Sequence, residues 1–254
     1  MSTQYDAIGA NYDLFCDLSI QQIIHAAMMD HLGLIVQSKR ILELACRTGF
    51  YTSEMLHMGA SHVTAVDISS AMVPAAQIKI PVEMKDHVTF CTADCAQSSM
   101  WNEVHLRGQE GTFDMVVAAW FLNHAETREE IRRMFENKYL ALKPGGVLIA
   151  LTVNAPIIDS LQPNDPLSPR ETHLGSVYDV IGIDEGGYKM PLSSVGMGEN
   201  DIKFEFYFLQ EEVHSQAAAE AGMGQLEWNV VFLGEEHLQM QVSRALSFIR
   251  ARNC

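Results

Sequence analysis

The chain has 254 residues, 48% of them hydrophobic, enough for one packed α/β domain with added segments and short for two full domains. Its 17 lysines and arginines face 32 acidic residues, a formal net charge of −15. So acidic a surface repels phosphate backbones and anionic lipid heads, which argues against nucleic-acid and membrane partners and leaves a small molecule as the expected one.

Residues 1 to about 15 look irregular, with Tyr5 and Tyr12 among small and acidic side chains. An amphipathic helix follows, with Ile20, Ile23, Ile24, Ala27, Met28, His31 and Leu32 on one stripe; His25 lies off it, and His31 on it reads as a packed, hydrogen-bonded histidine. These first 38 residues form a helical cap. From residue 41 the pattern alternates. Ile41–Leu44 reads as a strand, Tyr51–Met58 as a helix, and Val63–Val66 as a second strand ending at Asp67. Ser69 or Ser70 caps the next helix, Val88–Cys91 is a third strand ending near Asp94, and Phe113–Ala119 is a fourth. Thr127-Arg128-Glu129-Glu130 is a capping box; its helix stops at Lys143-Pro144-Gly145-Gly146, and Val147–Val153 is the fifth strand.

This alternation predicts a doubly wound, mostly parallel sheet of seven strands with an antiparallel C-terminal edge strand. Toward the end, Lys203–Leu209 and Leu226–Phe232 read as two strands forming an antiparallel pair, with a helix at Glu211–Ala221 between them and a closing helix at Glu235–Arg250. The stretch 152–202 shows no steady periodicity. It holds Pro156, Pro163, Pro166, Pro169 and Pro191 beside apolar and aromatic residues such as Val177, Tyr178, Tyr188 and Met190, and reads as a substrate lid inserted into a single domain.

The five cysteines, Cys16, Cys46, Cys91, Cys95 and Cys254, are odd in number and scattered. That pattern suits free thiols in a reducing compartment, and no zinc-type spacing accompanies them, so no metal is expected. The polar, acidic opening does not read as a signal peptide, and the apolar run Val147–Ile158 contains Pro156 and is too short to span a bilayer. The expectation is a soluble cytoplasmic protein, a monomer or homodimer.

Open parallel sheets bind ligands beyond the carboxyl ends of their strands, at the switch point. Glu43 to Gly49, Asp67, Asp94-Cys95 and Ala118-Ala119-Trp120 converge there. An acid ending the second strand suits a ribose diol, and one near the end of the third suits an adenine amino group. A dinucleotide is disfavoured because G-x-G-x-x-G is absent from the turn.

Glu43-Leu44-Ala45-Cys46-Arg47-Thr48-Gly49 and Ala65-Val66-Asp67-Ile68-Ser69, with Phe113-Asp114-Met115-Val116-Val117 and Leu142-Lys143-Pro144-Gly145-Gly146, resemble the motifs of class I S-adenosylmethionine-dependent methyltransferases. Tyr5-Asp6-Ala7-Ile8-Gly9, the segment Ala118–Ala125 and Gly222–Trp228 are further similar to small natural-product methyltransferases of the toxoflavin type, which methylate a nitrogen of a planar heterocycle. The resemblance implies S-adenosylmethionine as cofactor, held by Tyr12, Glu43, Ala45, Cys46, Arg47, Thr48, Gly49, Asp67, Ile68, Met72, Asp94, Cys95, Ala119 and Trp120. The chain departs from the family at Arg47, where glycine is usual. That arginine crowds the pocket, swings outward, or pairs with the cofactor carboxylate.

Methyl transfer needs alignment and exclusion of water more than a base. Asn123, His124 and Tyr188 are the candidate catalytic residues, and Tyr5, Trp120, Asn123, His173, Tyr178 and Tyr188 the candidate substrate contacts. The expected reaction is methylation of a nitrogen or oxygen of a small planar secondary metabolite. The alternative is a cofactor-binding partner or regulatory subunit without turnover.

Overall fold

A computed structural model describes residues 3–9, 12–13, 19–33, 35–153, 170–171, 176–184, 186–194, 203–231 and 246–253. Two helices, α1 (Gln4–Ile8) and α2 (Ser19–Gly33), lead into the alternating core: β1 (Arg40–Leu44), α3 (Phe50–His57), β2 (His62–Asp67), α4 (Met72–Lys79), β3 (Val88–Thr92), β4 (Phe113–Ala119), α5 (Arg128–Ala141) and β5 (Leu142–Val153). Then come β6 (Arg170–Glu171), β7 (Ser176–Tyr178), β8 (Ile181–Ile183), β9 (Gly187–Ser194), β10 (Lys203–Leu209), α6 (Glu211–Glu220), β11 (Glu227–Val231) and β12 (Leu246–Arg252).

Seven strands form one sheet in the order β11-β12-β5-β4-β1-β2-β3. The five strands β1 to β5 are parallel, while β12 runs antiparallel to both β5 and β11. The sheet is therefore α/β and doubly wound as expected, with the reversed strand one place in from the edge. The chain walks outward from β1 to β3 and returns to the other side of β1 as β4, so the switch point lies between β1 and β4.

Strand alternation divides the core between the two faces. Leu42, Leu44, Val116, Ala118 and Phe135 pack on one side, and Ile41, Met115, Val117, Met28, Leu32 and Met55 on the other. Glu43 shares the face of Ile41 and reaches α3, where Thr52 Oγ1 donates to its carboxyl. The capping box forms: Glu130 N–H donates to Thr127 Oγ1 at 3.3 Å, and Glu130 Oε2 accepts from Thr127 N–H at 3.1 Å. At the start of α4, the Ser69 hydroxyl accepts from Ala71 and Met72 N–H. β5 begins at Leu142 rather than Val147, because a bulge at the Pro-Gly-Gly turn shifts the register between Phe113 and Met115.

Three expectations are corrected. Lys203–Leu209 and Glu227–Val231 do not pair with each other: β10 joins β9 in a second sheet, and β11 joins β12. Residues 246–250, expected in a closing helix, lie in β12, which is hydrogen-bonded on both sides; pairing with β5 and β11 overrides their helical propensity. Residues 232–245 lie outside the described residues. His31 is hydrogen-bonded as expected, its Nδ1 3.0 Å from the Ala27 carbonyl, but it is not packed. His31 is exposed, whereas His25 is buried, with its Nδ1 2.7 Å from the Tyr51 hydroxyl and its ring stacked on Phe50.

The stretch without periodicity contains β6 to β9, antiparallel strands that join β10 in a five-stranded sheet. Pro191 sits inside β9 and demotes that run to a non-strand in the sequence. In the fold it occupies β9 opposite Glu205, and its carbonyl accepts from Asp179 N–H at 3.1 Å.

Lys138 on α5 is fully buried, with its Nζ donating to the Met134 carbonyl at 3.0 Å and lying 4.6 Å and 5.0 Å from the Phe121 and Phe135 ring centroids. Burial pushes its pKa well below the ordinary lysine value. Lys138→Met is expected to raise unfolding free energy by about 1–2 kcal/mol. Denaturant titrations should find the gain larger at pH 7 than at pH 10. Below pH 10 the unfolded wild-type chain takes up a proton that the folded chain refuses, so wild type loses stability there and the variant does not.

Candidate active site

The crevice beyond the carboxyl ends of β1, β2, β3 and β4 is a cavity of about 470 Å³. Its floor begins at the turn Ala45–Gly49. Gly49 has φ +79°, and a Cβ there would meet Ala76 Cβ at 2.8 Å, so α3 and α4 cross only over a glycine. Ala45 and Arg47 also adopt left-handed backbone, at φ 58° and 51°. Trp120, at the end of β4, does so at φ 64°. Three of the four non-glycine residues with positive φ among the described residues thus border one crevice. Such strain persists where surrounding structure over-determines it, and it is typical of functional sites.

Asp67 ends β2 as a buried carboxylate with both oxygens engaged: Arg47 N–H donates to Oδ2 at 2.7 Å and Ser69 N–H to Oδ1 at 2.9 Å. Burial raises its pKa, and those two bonds together with the Arg47 charge pull it back. Each oxygen keeps further lone-pair capacity toward the cavity. Beside it Ile68 is 41% exposed, an apolar residue left uncovered at the cavity wall. Asp94 caps its own turn, accepting from Ala96 N–H at 3.0 Å. Ala93, Cys95, Ala96 and Gln97 continue that wall.

Arg47 reaches across the floor. Its guanidinium donates to the Tyr12 hydroxyl at 2.6 Å and to the Ala119 carbonyl at 3.2 Å, and lies 5.3 Å from the Tyr12 ring centroid. Tyr12 comes from the N-terminal segment, which is fastened over the crevice by polar contacts. The Ser69 hydroxyl donates to Asp6 Oδ1 at 2.7 Å, while Asp13 Oδ1 accepts from Thr48 Oγ1 and Lys79 Nζ, each at 2.6 Å. Gln4 pairs with the backbone of Glu205 on β10.

At the far end the wall is aromatic. The Tyr5 ring stands edge-on to His124 with centroids 5.4 Å apart, its hydroxyl 3.4 Å from His124 Nε2; Phe206 lies 6.5 Å from Trp120 and 6.4 Å from His124. Burial, reinforced by the Arg47 charge, pushes His124 down to about 4, so its imidazole is neutral at pH 7. Burial likewise pushes the Tyr5 phenol above its ordinary value.

Of the residues singled out in the sequence, Tyr5, Tyr12, Ala45, Arg47, Asp67, Ile68, Asp94, Cys95, Ala119, Trp120 and His124 line this cavity. Glu43, Cys46, Thr48, Gly49 and Met72 stand behind it: Glu43 and Thr48 fasten the turn, Gly49 admits α4, and Cys46 and Met72 are packed in the core. Asn123 is buried and donates to the Tyr207 carbonyl at 3.2 Å, so it ties the turn after β4 to β10 and does not line the cavity. Tyr178 and Tyr188 belong to a cluster with Val180, Phe208, Met190 and Phe206 and do not themselves line the cavity. His173 lies outside the described residues. Phe206 and Tyr207 were missed. Their alternation in Lys203–Leu209 marks a strand, and nothing local says which cavity it walls.

Residues 41–146 match the methyltransferase domain family model. The ubiquinone/menaquinone biosynthesis C-methyltransferase of Haemophilus ducreyi is 26% identical over 163 residues, 62% of this chain and 58% of that protein. The chain spans about half the length of several curated relatives it matches. Among solved structures, the CcbJ methyltransferase of Streptomyces caelestis superposes with a TM-score of 0.64 at 18% identity, covering 89% of this chain and 87% of that one. The 1,6-didemethyltoxoflavin-N1-methyltransferase of Burkholderia thailandensis, solved with 1,6-didemethyltoxoflavin and S-adenosylhomocysteine bound, gives 0.56 at 16% identity, covering 95% and 81%. At these identities the structural likenesses speak for the fold. Residues 41–146 thus match a methyltransferase domain on a fold that the chain shares with S-adenosylmethionine-dependent methyltransferases, and the cofactor of those proteins is S-adenosylmethionine. The residues present fit it, with a fixed carboxylate for the ribose, an apolar wall at Ile68 and Ala93 for a base, and a cation at the floor.

Proposed function

We propose that the protein transfers a methyl group from S-adenosylmethionine to a nitrogen or an oxygen of a small, planar heterocyclic metabolite. The observation that carries this reading is the juxtaposition of the Asp67 carboxylate, aimed by two backbone N–H groups, with the aromatic wall of Trp120, Phe206, Tyr5 and His124 in one cavity. When bound, the cofactor supplies an electrophilic methyl on a sulfonium. Asp67 and Arg47 hold its ends, and Trp120 and Phe206 offer flat apolar faces against which a planar ring can lie. The fastened N-terminal segment excludes water.

The neutral state of His124 supports a nitrogen or oxygen acceptor over a carbon. The Haemophilus relative is named for C-methylation and the Burkholderia neighbour for methylation at N1. A carbon acceptor must lose a proton, and an imidazole near 4 is a weak base for that work. A nitrogen lone pair, or an oxygen already ionised in solution, needs none. His124 Nε2 and the Tyr5 hydroxyl then position the ring by hydrogen bonding.

The test is release of S-adenosylhomocysteine on incubation with S-adenosylmethionine and a panel of planar N-heterocycles and phenols. Turnover with an N-heterocycle is expected, with kcat/KM showing no limb near pH 6.5, because His124 is already neutral above about pH 4. A limb near 6.5 that disappears in His124→Phe would make His124 a working base and reopen carbon acceptors. Cofactor binding without turnover on any acceptor would favour the non-catalytic reading.

A further inference from the structure

We infer that Arg47 reads the α-carboxylate at the amino-acid end of the cofactor and makes the site selective for adenosyl ligands that carry it; this rests on the S-adenosylmethionine reading of the crevice. Among the described residues that line the cavity, Arg47 brings the one cationic side chain, against the carboxylates of Asp67, Asp94, Glu130 and Glu205. An anionic group entering such a cavity has a single favourable place, beside the guanidinium.

Geometry puts that place at the amino-acid end. Arg47 lies on the β1–α3 turn and reaches the end of β4, while Asp67, Ile68 and the Ala93–Gln97 wall take the ribose and base side. Its backbone is pinned at φ 51° by the N–H bond to Asp67, so the arginine is anchored where the cofactor must pass. Among the contacts of its guanidinium are two neutral acceptors, the Tyr12 hydroxyl and the Ala119 carbonyl. A carboxylate outcompetes a neutral acceptor for a guanidinium, because the bond becomes charge-assisted and the planar fork meets two oxygens at once. The position where backbone approach normally requires glycine is thus taken by a residue that turns approach into recognition.

The experiment is calorimetric titration of the full chain with S-adenosylhomocysteine and with 5′-methylthioadenosine, which lacks the amino-acid end, using wild type, Arg47→Gly and Arg47→Lys. Glycine relieves the left-handed strain, so the variant is expected to fold, and its melting temperature checks this. Wild type should prefer S-adenosylhomocysteine. Arg47→Gly should lose about 30-fold in affinity for it while its affinity for 5′-methylthioadenosine stays within about 3-fold, and Arg47→Lys should fall between. Equal or tighter binding of S-adenosylhomocysteine by Arg47→Gly would overturn the inference and make the arginine an obstruction. Equal losses for both ligands would overturn it too, since the residue would then act on the turn as a whole. Binding of neither ligand by wild type would instead sink the underlying cofactor reading.

Discussion

Asp67→Asn should weaken S-adenosylhomocysteine binding by about 100-fold or more, the largest loss expected from any single conservative change in the crevice. The carboxylate is fixed by Arg47 N–H at 2.7 Å and Ser69 N–H at 2.9 Å, leaving its other lone pairs directed at the cavity. A ribose diol donates to both oxygens, and hydrogen bonds to an ionised acceptor are worth about 1.5–3 kcal/mol each. The asparagine keeps one oxygen and presents an NH₂ where the second acceptor stood. That NH₂ must face Arg47 N–H or Ser69 N–H, donor against donor, so the unliganded protein should also lose about 1–3 kcal/mol of stability. Calorimetry and thermal unfolding separate the two effects. Lower stability with binding within threefold of wild type would mean that Asp67 only joins the β1 and β2 loops and does not grip the cofactor. Asp94→Asn is the internal comparison. One Asp94 oxygen caps its own turn, and a single contact to an adenine amino group predicts a loss of about tenfold.

Strands β1 to β5 are short apolar runs bounded by turn chemistry, and Thr127 with Glu130 marks the start of α5 unaided; these local signals survive because each is repeated by the tertiary structure. Asp67, Asp94 and the Ala45–Gly49 turn follow from them, since strand ends at a switch point must meet. What was not legible depends on distant partners. β12 looks helical until β5 and β11 pair with it, and β9 carries a proline, a residue that speaks against an internal strand when read from the sequence. Asn123, expected at the chemistry, turns instead to Tyr207, 84 residues away. Phe206 and Tyr207 line the cavity through the tertiary placement of β10. The fastening of the N-terminus by Asp6 and Asp13 leaves no pattern, because nothing local in the sequence marks Ser69, Thr48 and Lys79 as their partners.

Ionisation of Glu43, the acid expected to bind the cofactor, should cost the fold stability as pH rises. Its side chain lies on the α3 face of β1, is 2% exposed, and accepts from Thr52 Oγ1. Burial outweighs that bond and the Arg47 charge, and raises its pKa from 4.5 to about 8. The sign follows directly. Below pH 4.5 the carboxyl is protonated in both folded and unfolded chains and the fold keeps its full stability. Between pH 4.5 and 8 the unfolded chain releases a proton that the folded chain retains, so stability falls with rising pH; above pH 8 both are ionised and the loss is complete. Between pH 5 and 8 this amounts to about 3 kcal/mol. Glu43→Gln preserves an acceptor for Thr52 and cannot ionise, so its stability relative to wild type should climb by about that amount over the same interval. Denaturant unfolding of both proteins at pH 5, 6.5 and 8 measures the difference and cancels the contributions of the other carboxylates. A constant difference would mean that Glu43 is ionised in the folded protein, balanced by Arg47 through the turn. In that case the turn beneath the cofactor would be held by charge rather than by a neutral hydrogen bond, and Arg47→Gly would destabilise the fold as well as the complex.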